Sequence, residues 1–467
     1  MTAASGPLVV LHDHLDGGVR SATTLALAHE AGIATPTDDE AELARWLTIT
    51  PGMPFEEAFS RFHLVIGATQ TEAALRRIAR EAVEDLAADG VVHAELRFAP
   101  LNHVAGGLTA DEVMAAVHAG IDDAADLGCD ARLIVCAMRH LPEEVSVEAA
   151  EVAVRWMGER VVGLDLAGGE VGNPAQGHRA AFVFAADHGL ARTVHAGEMD
   201  GVHQVASALD HCRPDRLGHG WRLIDDCEVT DGRITRLGPT AAAVRDGGIP
   251  LEICLTSNAC LGLRVEDHPV RLLFDAGFRI TLHPDDRAIT TTSARREFEL
   301  AAAHHGFTRV ELAACAERAA VAAFLPDDER ESLVARIAAG WDARPARLVH
   351  LTEREVWEAV GPSGSYLPRE WDRDGFIHLS SLPQLLTPAN RFYRGRDDLV
   401  AVVLDAHLLG AAVVWEAGTG TVERFPHLYG AITADAVLAE VPLHSEPDGG
   451  FLLPPALVRA VRSPLGR

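Results

Sequence analysis

Short apolar runs alternate with amphipathic segments through the first two-thirds of the chain. The first run, Leu8-Val9-Val10, has the β-branched character of a buried strand, and Gly17-Gly18 ends the stretch that follows it. Similar runs predict seven further strands, at residues 91–98, 133–138, 161–166, 192–195, 216–219, 250–255 and 279–283. Helical periodicity lies between them, for example at residues 21–31, 110–127, 175–188, 240–246 and 294–305. Eight β/α units in roughly 300 residues predict a closed (β/α)8 barrel of the TIM type rather than an open sheet.

Polar residues follow the predicted strands. They stand at or just beyond the carboxyl ends of the strands: His12, His14, Arg97, Arg139, Asp165, His195, His219, Ser257 and Asp285. Barrel enzymes carry their chemistry on that rim, and histidines scattered through a core would not follow strand ends in this way. The placement favours the closed barrel and indicates an active site at its rim.

The hydrophobic pattern changes after Trp341. Residues 342–345 are typical of a short linker, and further strands are predicted at residues 347–351, 375–379, 399–405 and 412–415. We therefore predict a barrel domain over residues 1–342 and a smaller α+β accessory domain of unknown function over residues 343–467. Domains joined by short polar linkers usually carry independent cores, so we expect each part to fold alone.

One helical segment leaves two interpretations open. Residues 55–62 carry Phe55, Phe59 and Phe62 at helical spacing. These aromatic side chains either pack into the core or form an apolar lid over a ligand.

Composition narrows the classes of function. The 467 residues are 48% hydrophobic, enough for a large core, and 68 acidic residues against 41 basic ones give a formal charge of -27. Such an acidic surface repels phosphate backbones, so we expect no nucleic-acid partner. Every basic residue is arginine. The absence of lysine excludes Schiff-base chemistry, a P-loop and a metal centre bridged by a modified lysine.

The sequence also bears on location. Its 7 cysteines form no Cys-x-x-Cys pair and are typical of reduced core residues in a cytosolic protein. The first residues include no basic flank followed by a long apolar segment, and no run approaches membrane-spanning length. We therefore predict a cytoplasmic protein without a membrane span, and the oligomeric state stays open.

Two histidines in the first strand, His12 and His14, are two residues apart and therefore face the same way. Two ordinary histidines near an N-terminus are the alternative interpretation. Against it, His195 and the pair Asp285-Asp286 each follow a similar apolar run. Three imidazoles and one carboxylate suit a single zinc ion with a water completing its coordination. Zinc lowers the pKa of such a water toward neutrality.

Two further residues could complete the chemistry. Glu198 follows His195 by three residues, across a glycine, so its carboxyl can reach a substrate beside the metal. It could act as a general acid if burial raises its pKa. His219, between Gly218 and Gly220, lies at another strand end and is suited to holding or deprotonating the water. A purely structural histidine is the alternative there.

Six short motifs follow one another along the barrel segment. They are His-x-His-Leu-Asp-Gly from His12, Asp-Leu-Ala-Gly from Asp165, His-Ala-Gly-Glu from His195, Gly-His-Gly from Gly218, Thr-Ser-Asn from Thr256, and Asp285-Asp286. Each motif alone is weak, whereas six in this order are very specific. Together they resemble the adenosine deaminase family over residues 8 to about 330.

The resemblance implies a set of site residues and one zinc ion per chain. The implied zinc ligands are His12, His14, His195 and Asp285. The implied catalytic residues are Glu198, His219 and Asp286, and the implied substrate-binding residues are His14, Asp16, Gly168 and Asp286.

The resemblance also implies how these residues act on a small purine nucleoside. His219 would orient and deprotonate the water, and Glu198 would protonate the ring nitrogen next to the attacked carbon. Asp286 would contact the imidazole side of the purine, the backbone N–H of Gly168 the other side, and Asp16 a ribose hydroxyl. Ammonia would leave and inosine would form.

Three departures from the family pattern leave the substrate open. Gly169 stands where the family usually has an acidic or amide residue, His283-Pro284 precedes the Asp pair in place of Asn-Thr or Asn-Ser, and Arg287 replaces a frequent proline. Adenosine, deoxyadenosine, adenine and modified purine nucleosides are all compatible with the motifs. A non-catalytic protein that binds a nucleotide-like ligand is the alternative from another class.

Short motifs in the C-terminal segment resemble an uncharacterised family of small bacterial domains. They lie around His350, His378, Arg391 and His427, in Leu-Val-His-Leu-Thr, Gly-Phe-Ile-His-Leu-Ser, Ala-Asn-Arg-Phe-Tyr and Phe-Pro-His-Leu-Tyr-Gly. The resemblance implies a fold similar to ADP-ribosyltransferases. His350, His378 and Arg391 could line a ligand cleft, and structural roles for the histidines are the alternative.

Overall fold

Eight parallel strands form one sheet in the order in which they occur along the chain. The computed structural model describes residues 4–360, 364–418 and 420–462. The eight strands are Leu8–His14, Val91–Phe98, Asp130–Met138, Val161–Ala167, Ala191–Ala196, Arg216–His219, Leu251–Ile253 and Ile280–Leu282. All eight predicted strands are confirmed. The seventh is shorter than predicted because helix Leu255–Cys260 begins directly after it.

The first and eighth strands meet at the carboxyl end of the barrel. Asp13 and Asp285 form a parallel β-bridge. The N–H of His14 donates to the carbonyl of Asp285 at 2.8 Å, and the N–H of Asp285 donates to the carbonyl of His12 at 3.1 Å. Deeper in the barrel, the Nδ1 of His283 accepts a hydrogen bond from the N–H of Leu11 at 3.1 Å. The predicted TIM-type barrel is therefore confirmed.

Helices follow the strands, and most of the predicted ones are present. Those of the barrel segment are Ser21–Glu30, Glu40–Leu47, Phe55–Ala68, Glu72–Ala88, Ala110–Asp122, Glu143–Arg155, Arg179–Asp187, Val202–His211, Pro239–Asp246, Leu255–Cys260, Val270–Asp275, Ala294–His305, Arg309–Ala322 and Asp327–Trp341. The helix predicted at 110–127 ends at Asp122, and a 3-10 turn, Ala125–Leu127, follows it. The helix predicted at 175–188 begins with a 3-10 turn, Ala175–His178. None of the helices in the described ranges combines the length and apolar character needed to cross a membrane.

A hairpin, Cys227–Thr230 with Arg233–Leu237, was not predicted, because its strands are short and polar. Its turn is Asp231-Gly232, and both residues have a positive φ. An Asp-Gly pair is a sequence signal for a tight hairpin turn.

The predicted aromatic helix is observed as Phe55–Ala68, but the side chain of Phe55 lies outside what the structure describes. The lid therefore stays a prediction.

A network of buried ion pairs crosses the barrel interior. Arg216 lies 2.6 Å from a carboxylate oxygen of Glu95 and 2.6 Å from one of Glu252. Arg97 lies 2.8 Å from the second oxygen of Glu252 and 3.0 Å from Asp165. All five side chains are at most 1% exposed. Buried charges persist only when they are paired, so each member depends on the others.

The chain forms two compact units that do not divide at a single residue. The first unit comprises Met1–Asp226, Ile249–Arg271 and Ile280–Trp341. The second comprises Cys227–Gly248, Leu272–Arg279 and Asp342–Arg467. The predicted boundary at residue 342 stays a prediction, and two earlier segments belong to the same compact unit as the C-terminal segment.

Antiparallel sheets form the second unit, as expected for an α+β domain. One sheet joins Arg347–Glu353, Leu399–Asp405 and Val437–Leu443; another joins Ile377–His378, Arg424–Leu428 and Val413–Ala417; a short pair joins Ser365–Tyr366 with Ile432–Thr433. Its helices in the C-terminal segment are Arg354–Glu358, Trp371–Asp374, Leu386–Phe392 and Pro455–Arg462. Apolar clusters on both faces of the first sheet give this unit its own core.

Arginines of the C-terminal segment bind the two earlier segments within this unit. Arg394 lies 2.7 Å from Asp246, and Arg462 lies 2.6 Å from Asp275. In the reverse direction, Arg245 donates to the carbonyl of Phe451 at 3.3 Å. These polar contacts tie residues before position 342 to residues after it.

We predict that Arg216→Met lowers the free energy of unfolding by about 3–5 kcal/mol, because it leaves Glu95 and Glu252 buried without their shared cation. Arg192→Met is the matched control, since Arg192 pairs with the more exposed Asp215 and should cost at most about 1 kcal/mol. Denaturant unfolding of both variants measures the difference. Equal effects would contradict the dependence of the barrel on the buried network.

We predict that a chain of residues 1–342 folds and binds metal but unfolds at a lower temperature than the full chain. The truncation removes Arg394 and Arg462, the partners of Asp246 and Asp275, so we expect a midpoint lower by about 2–8 °C. Calorimetry of both lengths tests this, with the double variant Arg394→Ala/Arg462→Ala as a full-length control. A truncated chain that is insoluble would contradict an independent barrel.

Candidate active site

Three imidazoles and one carboxylate meet at the carboxyl end of the barrel. His12 and His14 come from the first strand, His195 from the fifth, and Asp285 follows the eighth. One possible ligand atom from each lies within 4.8 Å of the others. The Nε2 of His12 is 3.0 Å from Oδ1 of Asp285, and the Nε2 of His14 is 3.2 Å from the Nε2 of His195. The structure thus brings together the four residues predicted as metal ligands.

These four residues fit a metal ion. The Nε2 of His12 and Oδ1 of Asp285 are buried and have no hydrogen bond of acceptable geometry within the described residues. Burial lowers the pKa of His14 well below its usual range despite the charge of Asp285, so this imidazole is neutral. Burial also acts to lower the pKa of His12, but the carboxylates of Asp285 and Glu252 raise it, so a metal ion bound there would take the place of a proton. Burial opposes ionisation of Asp285, but His12, His219 and His14 hold its pKa well below the usual range. Neutral imidazoles and an ionised carboxylate are the forms that ligate a metal.

Buried carboxylates contact the Nδ1 atoms of two of the imidazoles, on the side of each ring that faces away from the centre of the site. The Nδ1 of His12 is 2.9 Å from Glu252, and the Nδ1 of His195 is 3.0 Å from Asp165. A hydrogen bond at Nδ1 fixes the tautomer and turns Nε2 toward the centre of the site. Arg97 pairs with both carboxylates at once. The two imidazoles are therefore oriented before any ion binds.

Glu198 stands beside this cluster, on the turn after the fifth strand. Its Oε1 is 3.6 Å from the Nε2 of His219. Burial, reinforced by the charges of Asp285 and Glu170, raises the pKa of Glu198 to about 8. The carboxyl is therefore protonated at neutral pH and can deliver a proton. This is the property that the sequence analysis required of it.

A second buried glutamate, Glu170, holds the turn that carries Glu198. Its carboxylate accepts hydrogen bonds of 2.7 to 3.0 Å from four successive backbone N–H groups, those of Gly197, Glu198, Met199 and Asp200. Charge-assisted hydrogen bonds of this kind are strong and fix the path of the turn. Glu170 was not predicted from the sequence. Its signal was an acidic residue directly after the Ala-Gly-Gly that ends the fourth strand.

His219 ends the sixth strand with a left-handed backbone. Its φ is 60°, and that of Asp285 is 64°, values that are uncommon for residues other than glycine and recur at functional sites. The Nε2 of His219 is 3.8 Å from Oδ2 of Asp285, and its Nδ1 is 3.0 Å from the amide nitrogen of Asn258. Gly218 makes room for the cluster, since a Cβ there would lie 3.1 Å from the ring of His12.

The remaining predicted residues lie on the acidic side of the rim. Asp286 packs closely on Gly17: a Cβ added to Gly17 would lie 1.8 Å from Oδ1 of Asp286. Burial and the charges of Asp285 and Asp16 raise the pKa of Asp286 well above its usual range. Burial also raises the pKa of Asp16 to about 6. Gly168 follows the fourth strand with a φ of 93°. The roles of these residues toward a substrate stay predictions.

The departures from the family pattern have structural explanations. His283 accepts from the backbone of the first strand and is hydrogen-bonded to Thr281 at 2.7 Å, so it fills the barrel interior. Arg287 donates through Nε to Asp13 at 2.6 Å, both side chains being buried. The carbonyl of Gly169 accepts a hydrogen bond from Asn173 at 3.0 Å. His283 and Arg287 therefore support the join between the first and eighth strands.

The candidate residues of the second unit have different environments. His350 is buried, with its Nδ1 2.9 Å from the carbonyl of His378 and its Nε2 3.0 Å from the hydroxyl of Tyr366. The side chain of His378 is 66% exposed, and Arg391 is exposed beside the ring of Phe392. Hydrogen bonds thus account for the ring of His350, and the ligand cleft stays a prediction.

Comparison with known proteins agrees with this geometry. Residues 351–440 match the model of a family described as a protein of unknown function, DUF952. An adenosine deaminase of Mycobacterium avium is 41% identical over 343 residues, which cover 70% of this chain and 93% of that protein.

Two solved structures share the barrel. An adenine deaminase from Arthrobacter aurescens has a TM-score of 0.64 and 26% identity, over 72% of this chain and 100% of that one. An amidohydrolase from Burkhoderia ambifaria with bound Zn has a TM-score of 0.64 and 28% identity, over 73% of this chain and 92% of that one. Residues 7–340 match the family model described as adenosine deaminase. The chain therefore belongs to the adenosine deaminase family.

Proposed function

We propose that this protein hydrolyses the amino group of adenosine or a related 6-aminopurine nucleoside to give inosine and ammonia. The observation that carries the proposal is a protonated carboxyl, that of Glu198, beside three imidazoles and one ionised carboxylate whose possible ligand atoms lie within 4.8 Å of one another. Such a site offers an acid beside a metal position. Membership of the adenosine deaminase family supports the reaction type.

One zinc ion per chain would be held by His12, His14, His195 and Asp285. When bound, zinc supplies a water whose pKa is low enough to provide hydroxide at neutral pH. Glu252 and Asp165 would hold the first and third of these imidazoles in place through their Nδ1 atoms. The absence of lysine argues against a second ion bridged by a modified lysine.

The residues around this position would divide the work on the purine. Glu198 would give its proton to the ring nitrogen next to the attacked carbon, and His219 would hold the attacking oxygen. The oxygen of the attacking hydroxide forms the new C–O bond, its remaining proton passes to the amino group, and the C–N bond breaks so that ammonia leaves. Because Asp286 has a raised pKa, its carboxyl can donate a hydrogen bond to the imidazole side of the purine. Gly168 and Asp16 would contact the other ring edge and a ribose hydroxyl.

The charge of the site favours an uncharged substrate. Five buried acidic groups lie at this rim, and burial and nearby charges shift their pKa values. They are Asp13, Asp16, Asp285, Asp286 and Glu198. Burial raises the pKa of Asp16 to about 6, so this group, which the family resemblance places beside the ribose, is ionised at neutral pH, and a phosphate near the ribose would meet its like charge. A nucleoside or free base therefore suits this rim better than a nucleotide. Adenine and modified aminopurines are the alternative substrates.

A panel of aminopurines tests the function. We expect ammonia release and the spectral change of deamination from adenosine or another neutral aminopurine, and a much slower reaction with the corresponding 5′-phosphate. Tight binding of a purine without ammonia release would instead support the non-catalytic alternative.

We predict that Glu198→Gln retains metal and loses turnover by more than ~10²-fold. The amide keeps the size of the side chain but cannot act as an acid. In the unaltered protein, the protonated form of Glu198 is the active one, so the rate should fall as pH rises through about 8. Steady-state kinetics and metal analysis of both proteins measure these effects. Near-normal turnover in the variant would place the acid elsewhere.

We predict about one zinc per chain in the purified protein, with activity lost on chelation and restored by zinc. Elemental analysis and titration with zinc measure the ratio. His195→Ala should lower the zinc content, whereas His203→Ala, on an exposed histidine outside the cluster, should leave it unchanged. A reproducible ratio of two metals per chain would contradict the single-ion site.

A further inference from the structure

A chain of buried side chains leads from a backbone N–H to the imidazole of His219. The N–H of Val270 is 3.1 Å from Nδ1 of His268, and the Nε2 of His268 is 3.2 Å from Oδ1 of Asn258. The amide nitrogen of Asn258 is in turn 3.0 Å from Nδ1 of His219. Asn258 and His219 are fully buried, and His268 is 3% exposed. Water therefore does not replace these partners.

Each hydrogen bond in this chain has only one possible direction. A backbone N–H can only donate, so Nδ1 of His268 must accept. Burial lowers the pKa of His268 to about 3, so its ring is neutral and its single proton is on Nε2. That N–H donates to Asn258, which must present its oxygen to His268 and its NH2 group to His219. The NH2 group donates, so Nδ1 of His219 accepts and the proton of a neutral His219 is on Nε2.

The opposite side of the ring is compatible with this tautomer. The Nε2 of His219 is 3.6 Å from Oε1 of Glu198 and 3.8 Å from Oδ2 of Asp285. An N–H on Nε2 therefore faces two oxygens that can accept from it. The direction of the hydrogen bonds from Val270 to Asn258 is what determines the tautomer.

We propose that Asn258 and His268 are positioning residues that hold His219 in its Nε2–H tautomer, so that His219 donates a hydrogen bond to the attacking oxygen and does not remove its proton. This inference rests on the proposed deaminase function for its catalytic consequence, but the tautomer itself does not. It replaces one expectation from the family resemblance, which was that His219 deprotonates the water. His219 then acts as a fixed dipole at the point where negative charge is concentrated.

The tautomer can be measured directly on the zinc-loaded, full-length protein. Nitrogen NMR of protein labelled on histidine distinguishes a protonated from an unprotonated ring nitrogen, and the signals absent from His219→Gln belong to His219. We expect an unprotonated Nδ1 and a protonated Nε2. A protonated Nδ1 with an unprotonated Nε2 would overturn the proposal without the need for any further variant.

Asn258→Asp tests the role of the asparagine. The carboxylate has nearly the same shape but accepts where the amide donated, so it should draw the proton of His219 to Nδ1. We expect the NMR signals of His219 to show a protonated Nδ1 and an unprotonated Nε2. We also expect kcat to fall by ~10²-fold, as for the loss of one fixed hydrogen-bond donor, with KM and zinc content near normal. Asn390→Asp is the matched control, because the oxygen of Asn390 accepts from the N–H of Phe451 and an aspartate can do the same.

The outcomes separate this inference from the proposed function. Unchanged kcat in Asn258→Asp, despite an exchanged tautomer, would overturn the donor role of His219. If Asn258→Asp fails to fold, His268→Gln, which removes the ring that orients Asn258, provides the second test: a tautomer identical to that of the unaltered protein would contradict the role of His268. A protein that deaminates no aminopurine would refute the proposed function, and the NMR result would still decide the tautomer.

Discussion

The guanidinium of Arg97 is the interaction on which the candidate site depends. It neutralises Asp165 and Glu252 in the barrel interior, where neither carboxylate could stay ionised alone. Those carboxylates in turn accept from the Nδ1 atoms of His195 and His12, so the ring nitrogens that face the centre of the site are fixed. Arg97, together with Arg216 on the other oxygen of Glu252, thus holds the carboxylates that orient two imidazoles from strands far apart in the sequence.

The carboxyl groups of the rim differ in protonation because their neighbours differ. Asp285 is surrounded by imidazoles and is held in its ionised form, whereas burial and the charge of Asp285 raise the pKa values of Glu198 and Asp286 and hold both protonated. One ionised group therefore suits metal binding, and two neutral ones suit proton or hydrogen-bond donation. This separation of roles arises from position alone, since all three groups are buried carboxyls.

The barrel and the cluster at its rim could be predicted because their signals are local. A buried parallel strand is a short apolar run, and the residue that ends it must lie at the carboxyl rim, so His12, His195 and Asp285 followed from counting strands. Glu252 was not predicted, since its partner His12 is 240 residues away and the sequence shows only a charge inside an apolar run. Glu170 was missed for another reason. It binds backbone groups, and its position directly after Ala-Gly-Gly does not reveal which groups those are.

Asp285 belongs both to the metal cluster and to the hydrogen bonds that close the barrel. Its side chain belongs to the metal cluster, while its backbone N–H and carbonyl close the barrel against His12 and His14. An ion bound there would add a cross-link to these backbone hydrogen bonds, between strands that lie more than two hundred residues apart in the sequence. Cross-links across long loops restrict the unfolded chain most. Metal occupancy should therefore be coupled to the cooperativity of unfolding, with the seam between the first and last strands the place where the metal-free protein opens first.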